Sequence, residues 1–323
     1  MNKDKEYLGI DISKDVFDVC DRNGSNYQFK NSISGFNKLL KLLDTNTVFV
    51  MEATGYYHVC LAYFLLENDR CVSVVNPLKI KRYIQMHLSK IKTDKSDSKM
   101  ICAYGKDCNP PLWFGVSKTQ QESLQLSRLL SVYSKQMTQL KNKIHGESVL
   151  DYPSKAVVQS LNRQLKSIKK EMDNLESKLL KNVKSEYCES LVLLQTIPGI
   201  GEKTALILLV FTDGFNCFES SKELCSYAGI TPIIRQSGSS IKGRPRISKM
   251  GNPKLRNLLF MCSFNACKYN AACKALFDRI VAKGKSKKLA LIAVCNKLLK
   301  QAFAIVKNQL PYDANYRSTL VEN

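Results

Sequence analysis

The sequence predicts an α/β N-terminal domain, a helical hairpin in the middle and a mostly α-helical C-terminal domain. Three observations carry this. Short apolar runs alternate with helical patterns through the first hundred residues. From Ser117 to about Lys184 the composition shifts to Leu, Lys, Gln, Ser and Glu, with glycine almost absent. From Leu191 helical spacing resumes, interrupted by short basic loops. A length of 323 residues suits about two domains.

The elements follow in order. Tyr7 to Ile12 reads as a strand and Val16 to Asp21 as a second, joined by the turn Ser13-Lys14-Asp15. Asn23-Gly24-Ser25-Asn26 is a further turn, and Tyr27 to Asn31 fits a third strand. Ser34 is placed to cap a helix running to Leu43. Thr47 to Met51 reads as a buried strand, Gly55 to Asn68 as a helix, and Cys71 to Val75 as a strand stopped by Asn76-Pro77. Lys79 to Leu88 and Ser96 to Tyr104 have helical spacing. An antiparallel start followed by strand–helix units implies a mixed sheet with helices on its faces. Asn109-Pro110-Pro111 punctuates the chain as a boundary. Beyond it, Leu126, Leu129, Leu130, Val132 and Tyr133 form one apolar stripe, and Ile168, Met172, Leu175 and Leu179 another. With Pro153 between them, they predict two long antiparallel helices, either a plain helical subdomain or a dimerisation arm. The expected divisions are 1–110, 117–187 and 191–310, with a loosely held tail over 311–323.

Lys and Arg number 49 against 28 Asp and Glu, a formal charge of +21. Such self-repulsion disfavours a compact chain and points to a polyanionic partner. A membrane partner fits poorly. The N-terminus lacks the apolar stretch of a signal peptide, and the longest clean apolar run, Ala205 to Phe211, is too short to span a bilayer. A cytoplasmic protein is expected. The twelve cysteines form no CxxC pair, and the three histidines lie far apart, so reduced buried thiols are expected rather than disulfides or zinc.

Asp11 lies within the first apolar strand, where alternation puts it on the side of Gly9 and Ser13, opposite Leu8, Ile10 and Ile12. A carboxylate there is costly unless paired or metal-bound. Glu52 follows the apolar run Val48 to Met51, and Asp94 and Asp97 are spaced to share a helix face. Singly, each has a bland reading as a cap or a solvated face. Together, four carboxylates suit Mg²⁺, which prefers hard oxygen ligands and neutralises charge in phosphodiester chemistry. Asp15 and Asp18 are the neighbouring acids expected at solvent.

The strings YLGIDISKDVFDV, VFVMEATGYY and KTDKSDSKMICAYG resemble, in order and spacing, the N-terminal domain of the DEDD transposases, the Piv/MooV-like recombinases of bacterial insertion sequences. The resemblance implies a RuvC-like domain on an RNase H fold, with Asp11, Glu52, Asp94 and Asp97 as an acidic tetrad binding Mg²⁺. Ser98 stands where the family often has alanine.

In the C-terminal part, Ile197-Pro198-Gly199-Ile200-Gly201 precedes an apolar helix and is similar to a helix–hairpin–helix, in which backbone N–H groups of Gly199 and Gly201 hold a phosphate, with Lys203 a further nucleic-acid-binding residue. The plain alternative is a glycine-rich helix connection. From Leu224 to Phe277 no acidic residue occurs, whereas Arg235, Lys242, Arg244, Arg246, Lys249, Lys254, Arg256, Lys268 and Lys274 do. One-sided charge of this kind reads as a phosphate-binding surface. Ser237 lies inside it, and by itself is an ordinary loop serine. The segment resembles the family's C-terminal domain through AGITP, RQSG and ISKMGNPKLR, which implies that Ser237 is the nucleophile forming a phosphoserine link to DNA. The resemblance further implies a homodimer or homotetramer, a bacterial nucleoid-associated site of action and, from related members, a structured guide RNA encoded by the mobile element. The leading expectation is therefore a DNA transposase or site-specific recombinase. The rivals are a RuvC-like hydrolytic nuclease such as a junction resolvase, with water as nucleophile and no covalent intermediate, and a non-enzymatic nucleic-acid binder.

Overall fold

The computed structural model describes residues 6–41, 47–53, 55–88, 93–233, 236–237, 241–242, 246–248 and 250–316. The chain divides into two compact units, Met1–Val116 and Ser117–Asn323.

The first unit is built on a five-stranded sheet in the order β3-β2-β1-β4-β5. β1 (Glu6–Ile12), β2 (Val16–Cys20) and β3 (Asn26–Lys30) form an antiparallel meander. β4 (Thr47–Glu52) and β5 (Cys71–Val75) then run parallel to β1. The mixed sheet is thus the one expected, because the tight turn after β1 permits antiparallel pairing whereas helical crossovers enforce parallel pairing.

Period-two alternation sorts side chains onto two faces. Leu8, Ile10, Ile12, Phe49 and Met51 pack with α1 (Ile33–Lys41) and α2 (Tyr57–Glu67). Tyr7, Val48, Val50 and Val75 pack on the other face with α3 (Pro77–Met86) and α4 (Asp94–Cys108). α1 already includes Ile33, so Ser34 lies inside the helix and is not its cap. Asn76 caps α3, accepting from the Leu78 N–H with Pro77 at the first helical position, where a missing N–H costs nothing. The Asn109-Pro110-Pro111 segment does not end the unit. It turns back along the sheet edge, where the Trp113 N–H donates to Val72 O and the Ser73 hydroxyl to Pro111 O.

In the second unit, α5 (Lys118–Ser148) and α6 (Lys155–Gln195) form the expected antiparallel hairpin. Lys178 and Asn182 of α6 both reach Glu122 of α5. α6 continues past Lys184 and bends at Tyr187, whose hydroxyl donates to Asp213 at 2.7 Å. Leu126, Leu130, Leu179 and Val183 share one core with the helices that follow. Those are α7 (Glu202–Thr212), α8 (Ser221–Tyr227), α9 (Pro253–Tyr269), α10 (Ala271–Ala282) and α11 (Lys287–Asn308). α11 is long and apolar enough to cross a bilayer, although lysines interrupt its apolar run. Here it is a core helix, with Val294, Cys295, Leu298, Leu299 and Ala302 fully buried.

The region expected as plain basic loops instead contains short ladders. β6 (Pro232–Ile233) pairs with β9 (Arg246–Ile247), and β7 (Gln236–Ser237) pairs with β8 (Ile241–Lys242). All twelve cysteines are free. Burial pushes the thiols of Cys273 and Cys295 up to about 12, so both are inert neutral packing groups. Cys60 and Cys71, expected in the interior, are exposed.

Candidate functional site

The acidic site is assembled by the contact between β1 and α4. Gly9 makes that contact possible. A Cβ at this position would lie 2.1 Å from Ser98 O and 2.2 Å from Cys102 N, inside the backbone of α4. With hydrogen in its place, α4 lies directly on the strand two residues from Asp11. Ser98 is fully buried at this contact, and its hydroxyl donates to Lys95 O. The small side chain is what the close approach demands.

The start of α4 is fixed by a reciprocal capping box. Thr93 accepts from the Ser96 N–H, and Ser96 accepts from the Thr93 N–H. Asp94 and Asp97 therefore lie in the first helical turn, where the helix dipole favours negative charge. Glu52 ends β4 on the face of Val48 and Val50, the face that α4 covers.

These placements converge on Asp11. Its carboxyl is pushed up to about 6, first by burial, then by Asp97, Asp94, Glu52 and Asp18. The other three carboxylates of the expected tetrad thus act on Asp11. Their donor chemistry, carboxylate oxygens only, suits a hard divalent cation. Among the described residues no three ligating side chains are already drawn together into a cage.

Asp18 is the correction to the expected site. It was expected at solvent beside Asp15. Asp15 is exposed, but Asp18 is only 4% exposed. It lies opposite Asp11 across the β1–β2 ladder, and Gln28 on β3 donates from Nε2 to both its oxygens, at 3.2 and 3.3 Å. The signal was available. Val16 to Cys20 alternates, and Phe17 and Val19 claim the α1 face, which leaves Asp18 on the face of Asp11.

In the second unit a short glycine-bearing segment, 196–201, joins α6 to α7. Gly199 has φ +107°, and a Cβ there would come 2.8 Å from the Ala266 Cβ, so the segment rests directly on α9. Gly201 precedes α7 with no side-chain cap and open space where a side chain would stand. Lys203 is exposed and paired with Glu176 at 2.7 Å. Ser237 lies in β7, opposite Ile241, and Lys242 lies opposite Gln236. Arg246 is exposed in β9. Arg235, Arg244 and Lys249 lie outside the described residues.

Two of the basic residues have internal roles. Arg256 donates from Nη1 to Ala228 O at 3.1 Å, leaving most of its five donors for other partners. Lys254, expected on the phosphate-binding surface, points into the unit instead. Its ammonium bonds Ser127 O, Ser127 Oγ and Ser131 Oγ at 2.6–2.8 Å and sits 5.3 Å from the Phe211 ring centre. An ammonium has three donors, and all three are used. Burial lowers its pKa to about 8.

Two family models match the chain. A family model described as "Transposase", of the IS110 DEDD type, matches residues 8–151, and one described as "Transposase IS116/IS110/IS902 family" matches residues 191–278. A pilin gene-inverting protein of Moraxella bovis is 35% identical over 96% of this chain and 98% of its own length. The chain belongs to the IS110 family of transposases. The pilin gene-inverting protein of Moraxella lacunata is equally similar, at 35% identity over the same shares. A transposase for insertion sequence element IS1111A from Coxiella burnetii is 25% identical over 96% of this chain and 92% of its own. This IS110-family member is a DNA recombinase of transposase type, and the purely binding role is set aside.

Proposed function

We propose that this recombinase excises and inserts, or inverts, a DNA segment through a Mg²⁺-binding tetrad of Asp11, Glu52, Asp94 and Asp97 and a nucleophilic Ser237. The observation that carries the reading is the Asp11 carboxyl, raised to about 6 on a face where Asp97, Asp94 and Glu52 all act on it. The order of the mixed sheet, an antiparallel meander joined to parallel strands, supports an RNase H-like, RuvC-like framework for these acids. Mg²⁺ held there would neutralise charge on the scissile phosphate.

The residues divide the work as follows. Asp11 and Glu52 provide oxygens from rigid strands, and Asp94 and Asp97 provide them from a capped helix start. The Ser237 hydroxyl oxygen bonds to phosphorus, the DNA oxygen leaves with a proton, and a phosphoserine ester joins protein to strand. A DNA hydroxyl then attacks that ester and releases the serine. One phosphoester replaces another at each step, so no nucleotide hydrolysis is required. Gly199, Gly201, Lys203, Lys242, Arg246 and Arg256, with Arg235, Arg244 and Lys249, hold the DNA backbone as a helix–hairpin–helix and basic ladder. The reading includes a homodimer or homotetramer in which serine and tetrad come from different subunits. It also includes a structured guide RNA on the same basic surface.

The test is a strand-exchange assay on Ser237→Ala and Asp11→Ala with end-labelled DNA. Both variants lose exchange, and wild type leaves labelled DNA on denatured protein whereas Ser237→Ala does not. Full exchange by Ser237→Ala overturns the covalent role. Cleavage that needs Mg²⁺ but never yields an adduct favours the hydrolytic nuclease.

A further inference from the structure

Asp18 lies outside the proposed tetrad, yet its burial at 4% exposure is costly for a carboxylate. An ionised carboxylate buried to this extent needs hydrogen bonds or counter-charge. Its oxygens offer about four acceptor sites. The Gln28 amide reaches both oxygens from a single nitrogen at 3.2 and 3.3 Å, which satisfies them only in part. Among the described residues, the charges that act most strongly on Asp11 are all negative. Asp11 is directly opposite on β1, and Glu52 follows Met51, the β4 partner of Ile10, which brings it level with Asp11. From α4 come Asp94 and Asp97. Gln28, Asp18, Asp11 and Glu52 thus form one continuous polar row across β3, β2, β1 and β4, on the face that α4 covers. An apolar residue at position 18 would pack more favourably unless a cation shares the row.

We infer that Asp18 is a positioning residue for the divalent cation at Asp11: its charge and unfilled acceptors hold the hydrated side of the ion, and Gln28 fixes its orientation. This rests on the tetrad reading. Mg²⁺ dehydrates reluctantly and keeps several waters, so a site of this kind needs acceptors beyond its direct ligands. Asp18 is set back on the neighbouring strand with its amide clamp on the far side, which suits that place rather than direct coordination.

The experiment is a Mn²⁺ titration of the full chain without nucleic acid, read by the loss of the free-ion paramagnetic resonance signal. Asp18→Asn keeps the shape of the side chain and can still pair with Gln28. It is expected to weaken Mn²⁺ binding roughly tenfold, the usual effect of removing an outer partner of a metal ligand. Melting without metal is measured in parallel, and the variant is expected to melt at or above the wild-type temperature because a buried charge is gone. Gln28→Ala, on the exposed edge strand, folds in any case and is expected to weaken binding two- to threefold. Unchanged affinity in Asp18→Asn overturns the inference, and if that variant does not fold, unchanged affinity in Gln28→Ala does so. Asp11→Asn separates the two levels. If it binds Mn²⁺ as tightly as wild type, the tetrad reading fails; if it abolishes binding while Asp18→Asn has no effect, only the role of Asp18 fails.

Discussion

Replacing Gly9 with alanine tests whether the β1–α4 contact assembles the acidic site. The added Cβ would sit 2.1 Å from Ser98 O, 2.2 Å from Cys102 N and 2.8 Å from Cys102 Cα, all backbone atoms that no rotamer change can clear. Restoring an ordinary contact of about 3.5 Å requires α4 to retreat by about 1.4 Å. Overpacking of this kind costs roughly 1–3 kcal/mol. For a unit of this size, each kcal/mol lowers the melting midpoint by roughly 3–5 °C, so a fall of about 3–15 °C is expected in calorimetry. The catalytic cost is larger in proportion. Asp94 and Asp97 ride on α4 whereas Asp11 and Glu52 stay with the sheet, and a misplacement of about 1 Å is enough to lose roughly a hundredfold in rate. Strand exchange is therefore expected to fall at least that far, with DNA affinity unchanged because the basic surface belongs to the other unit. A variant with wild-type melting and wild-type exchange would refute the claim that this contact sets the geometry.

Lys254→Met leaves the salt dependence of DNA binding unchanged, since the ammonium is spent on Ser127 and Ser131; a shallower slope in a filter-binding titration would return it to the phosphate surface. The same variant has a pH signature. The pKa of Lys254 is lowered to about 8 in the folded chain and is 10.5 when unperturbed, so between those values the unfolded chain holds more protons and wild-type stability gains as pH rises. Lys254→Met lacks that gain, so urea melts at pH 8 and pH 10 shift relative stability toward wild type; the opposite shift would show that the lysine is not desolvated. Gly199→Ala introduces a side chain at φ +107° and against Ala266, and is expected to cost roughly 1–3 kcal/mol by overpacking, read by denaturant melts, and to weaken DNA binding through the displaced hairpin. If about six to ten phosphates are held, affinity for DNA falls about 10³–10⁵-fold between 50 and 200 mM salt. A flat response would mean that the net charge of +21 serves another purpose.

What the sequence disclosed depended on how local each constraint was. Strands β1, β2, β4 and β5 were legible to within a residue because alternation and turn residues are written in neighbouring positions. The start of α4 was missed by two residues, since Asp94 and Lys95 look like loop until the reciprocal Thr93–Ser96 bonds are known. The ladders β6–β9 and β7–β8 were invisible because two-residue strands carry no period. Lys254 and Asp18, both expected at the surface, are both turned inward for one reason. A charged residue leaves water only where a partner meets it. The partners, Ser127 and Ser131 for the lysine and Gln28 for the aspartate, lie on other elements and leave no mark in the adjacent sequence.

The two exceptions differ in how completely they are compensated, and that difference separates a structural charge from a functional one. Lys254 has all three donors satisfied by neutral acceptors and an aromatic ring beside it, so nothing further is needed to account for its burial. Asp18 has one amide nitrogen for two oxygens and an opposing carboxylate as its nearest strand partner. A chain selected only for stability would discard such a pair, because neutral residues in the same row would cost nothing. Keeping it makes physical sense where a divalent cation enters the row and turns the repulsion among Asp11, Asp18, Glu52, Asp94 and Asp97 into attraction. On that argument the stability of the first unit should rise with Mg²⁺ more steeply in wild type than in Asp18→Asn. Equal metal-induced shifts in melting for the two proteins would leave the buried carboxylate without its explanation.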